Sequence, residues 1–416
     1  VGKNALQSNT TANNNTAIGH HALETNTTGY QNTACGQGAL ASTTTGFVNT
    51  AVGAEALAVN STGEKNVAVG KGSLYSNTTA DRNTAVGYEA LEDNTTGTYN
   101  CAIGAEALAN NTTGEKNTAI GGVNALVSNT TGDKNVAVGQ SALEQNTTAD
   151  DNTAVGNHAL YVNTTGTQNT AVGSLALDAL TTANNNVAIG YLSMTTATTA
   201  HSNVAVGVKA LEDCVSGSTN VAVGYKALED NVITHGNIAV GQSALENSIG
   251  GGDVSGNNTA IGHSAGSENV SGVGNIFVGY NAQGIADDTD FDCTLGNNQI
   301  NTLRCQVTSI TALSDERDKT DIVDLPVGLD FLNTLRPVKF TWQHRDPVPH
   351  KDGTQKAGFI AQELDKAQTD AGVKDYMKLV EDRNPDKLEA SQGHLLPVLV
   401  KAIQELSAKV AALEAA

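Results

Sequence analysis

Ser314 and Lys319 are the residues of this 416-residue chain whose types and spacing point to bond-breaking chemistry. A neutral lysine amine can take the hydroxyl proton of a nearby serine as that serine attacks a carbonyl, giving a two-member nucleophile and general-base pair. Spacing alone is a weak signal, because a Ser-x4-Lys pair is common and needs structural context. The alternative is a solvated, charged linker, and the surrounding residues decide between the two.

The pair stands at a border. Ser-Asp-Glu-Arg-Asp-Lys-Thr-Asp-Ile (314–322) separates a long tandem repeat from a stretch of ordinary globular composition. The repeat begins with Asn15-Thr16-Ala17-Ile18-Gly19 and returns every 17 residues through Asn117. An extra glycine in Gly121-Gly122 makes one step of 18, and the period resumes from Asn135 to Asn237. An insertion at Gly250–Gly252 delays the next unit to Asn258, and Asn275 starts the last clear one.

A typical unit reads N-[TV]-A-[VI]-G-x-x-A-L-x-x-N-T-T-G-x-x, as in Asn83 to Tyr99. Its first five residues alternate branched with very small side chains, which predicts a short strand, and Asn-Thr-Thr-Gly supplies turn residues. One unit is too small to bury its own apolar face, so units must stack, like residue over like residue, with asparagines free to form ladders. Stacked as coils of a β-solenoid at ~4.8 Å per coil, sixteen clear units span roughly 75 Å. A β-prism wound from three chains has the same period. The small Ala and Gly side chains permit close backbone approach, either across a narrow coil or against a neighbouring chain, and favour a trimer with a shared apolar seam. The fold class expected is therefore mainly β: a solenoid, β-roll or β-prism shaft, followed by a small α+β domain.

Four segments are expected: a repeat shaft over 1–280, its terminus over 281–313, a globular domain over 314–394 and a coiled-coil helix over 395–416. Asp287, Asp288, Asp290 and Asp292 form an acidic patch where the period decays, and Leu295-Gly296-Asn297 reads as a degraded last unit. Beyond the border a helix is expected over Pro326–Leu335, a strand over Val338–Trp342, a loop over His344–Gly353, a strand over Ala357–Ala361 and a helix over Gln362–Ala371. Leu396, Leu399, Ile403, Leu406, Val410 and Leu413 are spaced as an a/d heptad seam, which requires partner helices unless the helix packs on its own domain.

Composition excludes several functions. With 43 acidic against 23 basic residues and a net charge of −20, nucleic acid is repelled rather than bound. No apolar run is long enough to span a bilayer and no signal peptide opens the chain, so membrane insertion is not expected. The chain opens Val1-Gly2, which resembles the end of a repeat strand and suggests a fragment lacking an N-terminal part. Five scattered cysteines, Cys35, Cys101, Cys214, Cys293 and Cys305, make neither a disulfide framework nor a metal site. Cys35 and Cys101 replace small apolar residues of the repeat. The Asn-Thr-Thr triplets match a glycosylation sequon but are explained as turns, and no unit has the dense Asp spacing of a calcium loop. Glu92 and Asp93 sit on variable, solvated positions rather than as a glycosidase pair. Neither cofactor nor metal is expected.

Two resemblances follow. The repeats resemble the head repeats of trimeric autotransporter adhesins and those of phage tail-fibre shafts. Ser314-Asp315-x-Arg317-x-Lys319-x-Asp321-Ile322, Leu335-Arg336-Pro337-Val338-x-Phe340-x-Trp342, Gly358-Phe359-Ile360-Ala361-Gln362-Glu363 and Leu396-Pro397-Val398-Leu399-Val400-x-Ala402-Ile403-Gln404-Glu405-Leu406 together resemble the endosialidase-type intramolecular chaperone domain. That resemblance implies a C-terminal domain of a trimeric phage tail spike or fibre that helps three chains assemble and is then released by self-cleavage at the Leu313–Ser314 bond. Ser314 would be the nucleophile and Lys319 the base, with Asp318 beside it favouring the charged amine. The implied location is the virion, after assembly in the host cytoplasm, with a host-surface receptor or glycan as a further partner. The alternative is a cell-surface adhesin or extracellular filament using the same chaperone. A depolymerase would need a catalytic module elsewhere.

Overall fold

The computed structural model describes residues 1–249, 256–297, 300, 314–344, 350–382 and 388–415. The chain divides into two compact units, Val1–Ile300 and Asn301–Ala416.

The first unit is a β-solenoid. Seventeen parallel strands, from β1 (Thr16–Ile18) to β17 (Cys293–Leu295), form one sheet in which each strand pairs with the strand one coil away. Register is strict: Thr16, Ala17 and Ile18 face Thr33, Ala34 and Cys35, and the same pattern continues coil by coil. Each coil thus stacks on the next coil of the same chain, which is the solenoid arrangement of the expected alternatives. The eighteen-residue unit is absorbed by a bulge where β6 (Cys101–Ala105) meets β7 (Thr118–Val123).

The coil interior explains the repeat letter by letter. The strand alanine and the Ala-Leu pair are inaccessible in coil after coil, as in Ala51, Ala56 and Leu57. The alanines thus allow close approach across a narrow coil, not against a neighbour. The repeat leucine takes a left-handed backbone, with φ of 51° at Leu23 and 54° at Leu57, which turns the chain towards its next side. Gly53 shows why the fifth position is glycine: its φ is +140°, and a Cβ would stand 2.4 Å from the Gly70 carbonyl oxygen of the next coil. Two neighbouring coils depart from the rule together, by compensation. Phe277 replaces the strand alanine, and Gly266 replaces the repeat leucine, so the ring fills volume that the missing side chain vacates.

Two buried asparagine ladders run through the stack. In the first, Asn49 N donates to Asn32 Oδ1 at 2.9 Å while Asn49 Nδ2 donates to the Gly63 carbonyl at 2.8 Å. This ladder crosses the insertion, with Asn258 N reaching Asn237 Oδ1 at 3.0 Å. It ends on an aspartate, since Asp292 N donates to Asn275 Oδ1 at 2.7 Å. Asp292 is thus the first residue of a seventeenth coil as well as part of the acidic patch. The second ladder joins Asn60, Asn77, Asn94 and Asn111 through side-chain amide bonds of 2.8–3.0 Å.

The second unit is small and mixed. Helix α1 is the single turn Leu329–Leu332, shorter than the expected Pro326–Leu335, because Gly328 and Asn333 flank it and Pro326 precedes it. The strand expected over Val338–Trp342 is β18 (Val338–His344), which forms an antiparallel hairpin with β19 (His350–Gly358). The expected loop therefore narrows: its residues 345–349 lie outside the described residues, and its later part is already strand. The strand expected over Ala357–Ala361 ends instead at Gly358, because Ala361 opens α2 (Ala361–Asp370). A single-turn α3 (Lys374–Met377), the short pair β20 (Val380–Glu381) and β21 (Glu389–Ala390), and α4 (Leu396–Glu414) complete it. Phe331, Leu364, Met377, Leu379, Leu395 and Val398 form its core.

Candidate active site

Ser314 and Lys319 are brought together by one turn. A 3-10 helix over Glu316–Asp318 folds the segment back, and Asp315 caps it by accepting a bond from Arg317 N at 2.9 Å. Lys319 N then bonds the Glu316 carbonyl at 3.1 Å. With the backbone so returned, Lys319 Nζ lies 2.7 Å from Ser314 Oγ and 3.4 Å from the Ser314 carbonyl oxygen. The first distance is within the range for direct proton transfer between hydroxyl and amine. Both residues are exposed in the single chain.

Asp315 has a second task. Arg317 Nε and Nη2 clamp it at 3.0 and 2.5 Å, and the guanidinium holds the Asp315 carboxyl below the usual carboxylate range. This ion pair keeps the Asp315 carboxylate engaged with Arg317. Leu313, the other half of the expected scissile bond, and the Asp318 side chain lie outside the described residues.

The other motif blocks meet each other. Arg336 Nε donates to Glu363 Oε2 at 3.0 Å, which joins the Leu-Arg-Pro block to the Ala-Gln-Glu block and lowers the Glu363 carboxyl. Glu405, from the last block, accepts from Leu329 N at 2.8 Å and so caps α1 from the distant helix α4. Sequence reasoning missed this cap because the two residues are 76 apart. The inaccessible Gln368 was missed likewise; its Oε1 accepts from Leu379 N at 2.8 Å and its Nε2 donates to Asp365 at 2.9 Å. A glutamine in a helix carries no signal of burial.

Helix α4 carries apolar residues on two faces. Val398 and Ala402 are buried in the domain, whereas every heptad residue is exposed, with Leu396 and Ile403 each at 65 % and Leu413 at 77 %. The helix thus packs on its own domain through a face that is not the heptad seam. A cavity of about 410 Å³ lies between α1, α2 and α4, lined by Phe331, Thr334, Ala367 and Glu405, and neither Ser314 nor Lys319 lines it. Among the described residues, no group of three His, Cys, Asp or Glu side chains is arranged to hold a metal ion, and no helix is long and apolar enough to cross a membrane.

Residues 314–373 match the family model described as chaperone of endosialidase. The match begins at Ser314 and takes in Lys319, Arg336 and Glu363, and it stops before α4. No curated protein and no solved structure matches the chain. The matched family implies trimeric assembly of a fibre-type protein with an assembly chaperone.

Proposed function

We propose that this chain is the shaft of a homotrimeric fibre whose C-terminal domain aligns three copies and then severs itself at Leu313–Ser314. Ser314 Oγ attacks the Leu313 carbonyl carbon while Lys319 takes the hydroxyl proton. The proton passes to the departing Ser314 nitrogen, leaving Leu313 as an ester on Oγ, and water hydrolyses that ester. The fibre belongs to a viral attachment apparatus, a tail fibre or tail spike, in this reading.

One observation carries the chemistry: the 2.7 Å contact between Lys319 Nζ and Ser314 Oγ, at the first residue of the family match. The exposed heptad seam of α4 supports the assembly role, because a row of leucines in water on a helix already anchored by its other face fits pairing with further copies. Assembly also supplies a trigger. Burial disfavours a charged amine, so cleavage would await the trimer that shields the pair.

Intact mass of the expressed chain beside Ser314→Ala tests the reading. Two fragments parted before Ser314 in the parent, and one uncut chain in the variant, are expected. An uncut parent that is nevertheless trimeric would remove the peptidase and leave a permanent trimerisation cap.

A further inference from the structure

Four acidic residues crowd the turn that carries Lys319. Asp315, Glu316, Asp318 and Asp321 stand against two cations, Arg317 and Lys319 itself, between Ser314 and Ile322. A carboxylate within about 4–6 Å of an amine favours its charged form, and a charged amine cannot take the serine proton. Yet both described contacts of Lys319 Nζ are to Ser314, its hydroxyl at 2.7 Å and its carbonyl at 3.4 Å, and none of Asp315, Glu316 and Asp321 is bonded to the amine. Among the described residues, no side chain from another element is hydrogen-bonded or ion-paired to this turn, so its own residues set its charge balance.

Asp315 is the acid next to Ser314, and it is the one that is held. Its Oδ1 accepts from Arg317 N at 2.9 Å and from Arg317 Nε at 3.0 Å, and its Oδ2 accepts from Arg317 Nη2 at 2.5 Å. The first bond alone closes the cap, and any residue but proline at 317 donates it. The guanidinium is therefore surplus to the fold of the turn. As an ion pair it adds little stability, since the Arg317 side chain is 88 % exposed and that of Asp315 41 %. What it does change is the freedom of the carboxylate: the planar fork fixes both oxygens, where a single contact leaves one free to swing.

We infer that Arg317 is a positioning residue for the self-cleavage, which holds the Asp315 carboxylate off Lys319 and sets its own positive charge against the surrounding acids, so that the amine facing Ser314 Oγ can give up its proton. The inference rests on the cleavage reading above and names the residue that governs the pH at which cleavage runs. Asp315 is ionised wherever the chain would cut, because the same guanidinium holds its carboxyl below the usual carboxylate range. Cleavage rises with pH as the amine loses its proton, so a released Asp315 carboxylate moves that rise to higher pH.

The test compares full-length parent, Arg317→Gln and Asp315→Asn/Arg317→Gln chains, made in a cell-free reaction and moved to buffers from about pH 6 to about pH 10, the span below the ordinary lysine value. Intact mass against time gives the cleavage rate, and native mass gives the assembly state. Asparagine at 315 keeps the cap and removes the charge. Arg317→Gln is expected to cut about tenfold more slowly than the parent at neutral pH, with its rise in rate moved up by about one pH unit and its plateau retained. The double variant is expected to return towards the parent profile. An unshifted profile in Arg317→Gln, equal slowing at every pH, loss of the trimer, or a double variant as slow as the single one would each overturn this role and leave the cleavage reading standing. A parent that never cuts would overturn the cleavage reading and this role with it.

Discussion

The proposed cleavage asks Lys319 to accept a proton, and that demand separates it from every role that needs only a positive charge. Its contact with Ser314 Oγ at 2.7 Å suits either role. Arginine distinguishes them: its guanidinium reaches the same hydroxyl, keeps the charge and stays protonated throughout the accessible pH range. Lys319→Arg is therefore expected to leave the chain uncut, or to slow cleavage by about 10²–10⁴-fold, the usual contribution of a general base. Trimer formation, read by native mass, should be unchanged, since the Arg317–Asp315 clamp and the turn remain. Normal cleavage in that variant would make Lys319 a positioning residue and return the base to another group. The residue pair itself was legible from spacing and motif. The turn that closes it was not, because a 3-10 turn of three residues, capped by Asp315, has too few positions to leave a periodic trace.

Coils fail or hold at their ladders. The second asparagine ladder is broken at Thr43, which leaves Asn26 Oδ1 and Thr43 Oγ1 buried without partners, and again after Asn163, whose Oδ1 faces the coil of Leu180. Each unmet buried acceptor costs about 1–3 kcal/mol. Thr43→Asn should supply an amide to Asn26 Oδ1 and an acceptor to Asn60 Nδ2, joining two interrupted runs. We expect a gain of about 1–2 kcal/mol in the denaturant-unfolding free energy, and a loss or no change would show that the wider side chain does not fit the corner. The sequence displays this architecture openly because each coil repeats one solution: asparagine for the ladder, alanine for the narrow interior, glycine for the coil-on-coil approach. What it concealed were substitutions that keep the geometry while changing the letter. Asp292 keeps the backbone donor of the first ladder, so a coil continues where the motif has vanished. Phe277 is tolerated through Gly266 in the coil before it. In the second unit the helix limits were obscured for another reason: α1 is stabilised by the remote Glu405 carboxylate, which no local window contains.

At the scale of the whole molecule the repeat creates a problem that the proposed assembly role of the C-terminal domain would answer. Sixteen of the seventeen strands begin after the same kind of ladder asparagine, so two chains offset by one coil would present nearly the same residues to each other and lose little more than a terminal unit. Register must then come from outside the shaft. A domain that brings three chain ends together raises their local concentration and starts every copy at the same coil. Under the proposed self-cleavage, a shaft that unfolds after release has lost the part that set its register, and the assembled state would persist because the route back is closed rather than because it is the deepest minimum. This gives an asymmetric expectation. After denaturation and dilution, the Ser314→Ala protein, with its chaperone attached, should recover trimers of native mass, whereas the cleaved parent shaft should return as monomers, misaligned oligomers or precipitate. Light scattering with native mass measurement on both reads the difference. Equal recovery from the cleaved shaft would mean that the coils carry their own register, and the C-terminal domain would then be an accelerator of assembly whose removal traps nothing.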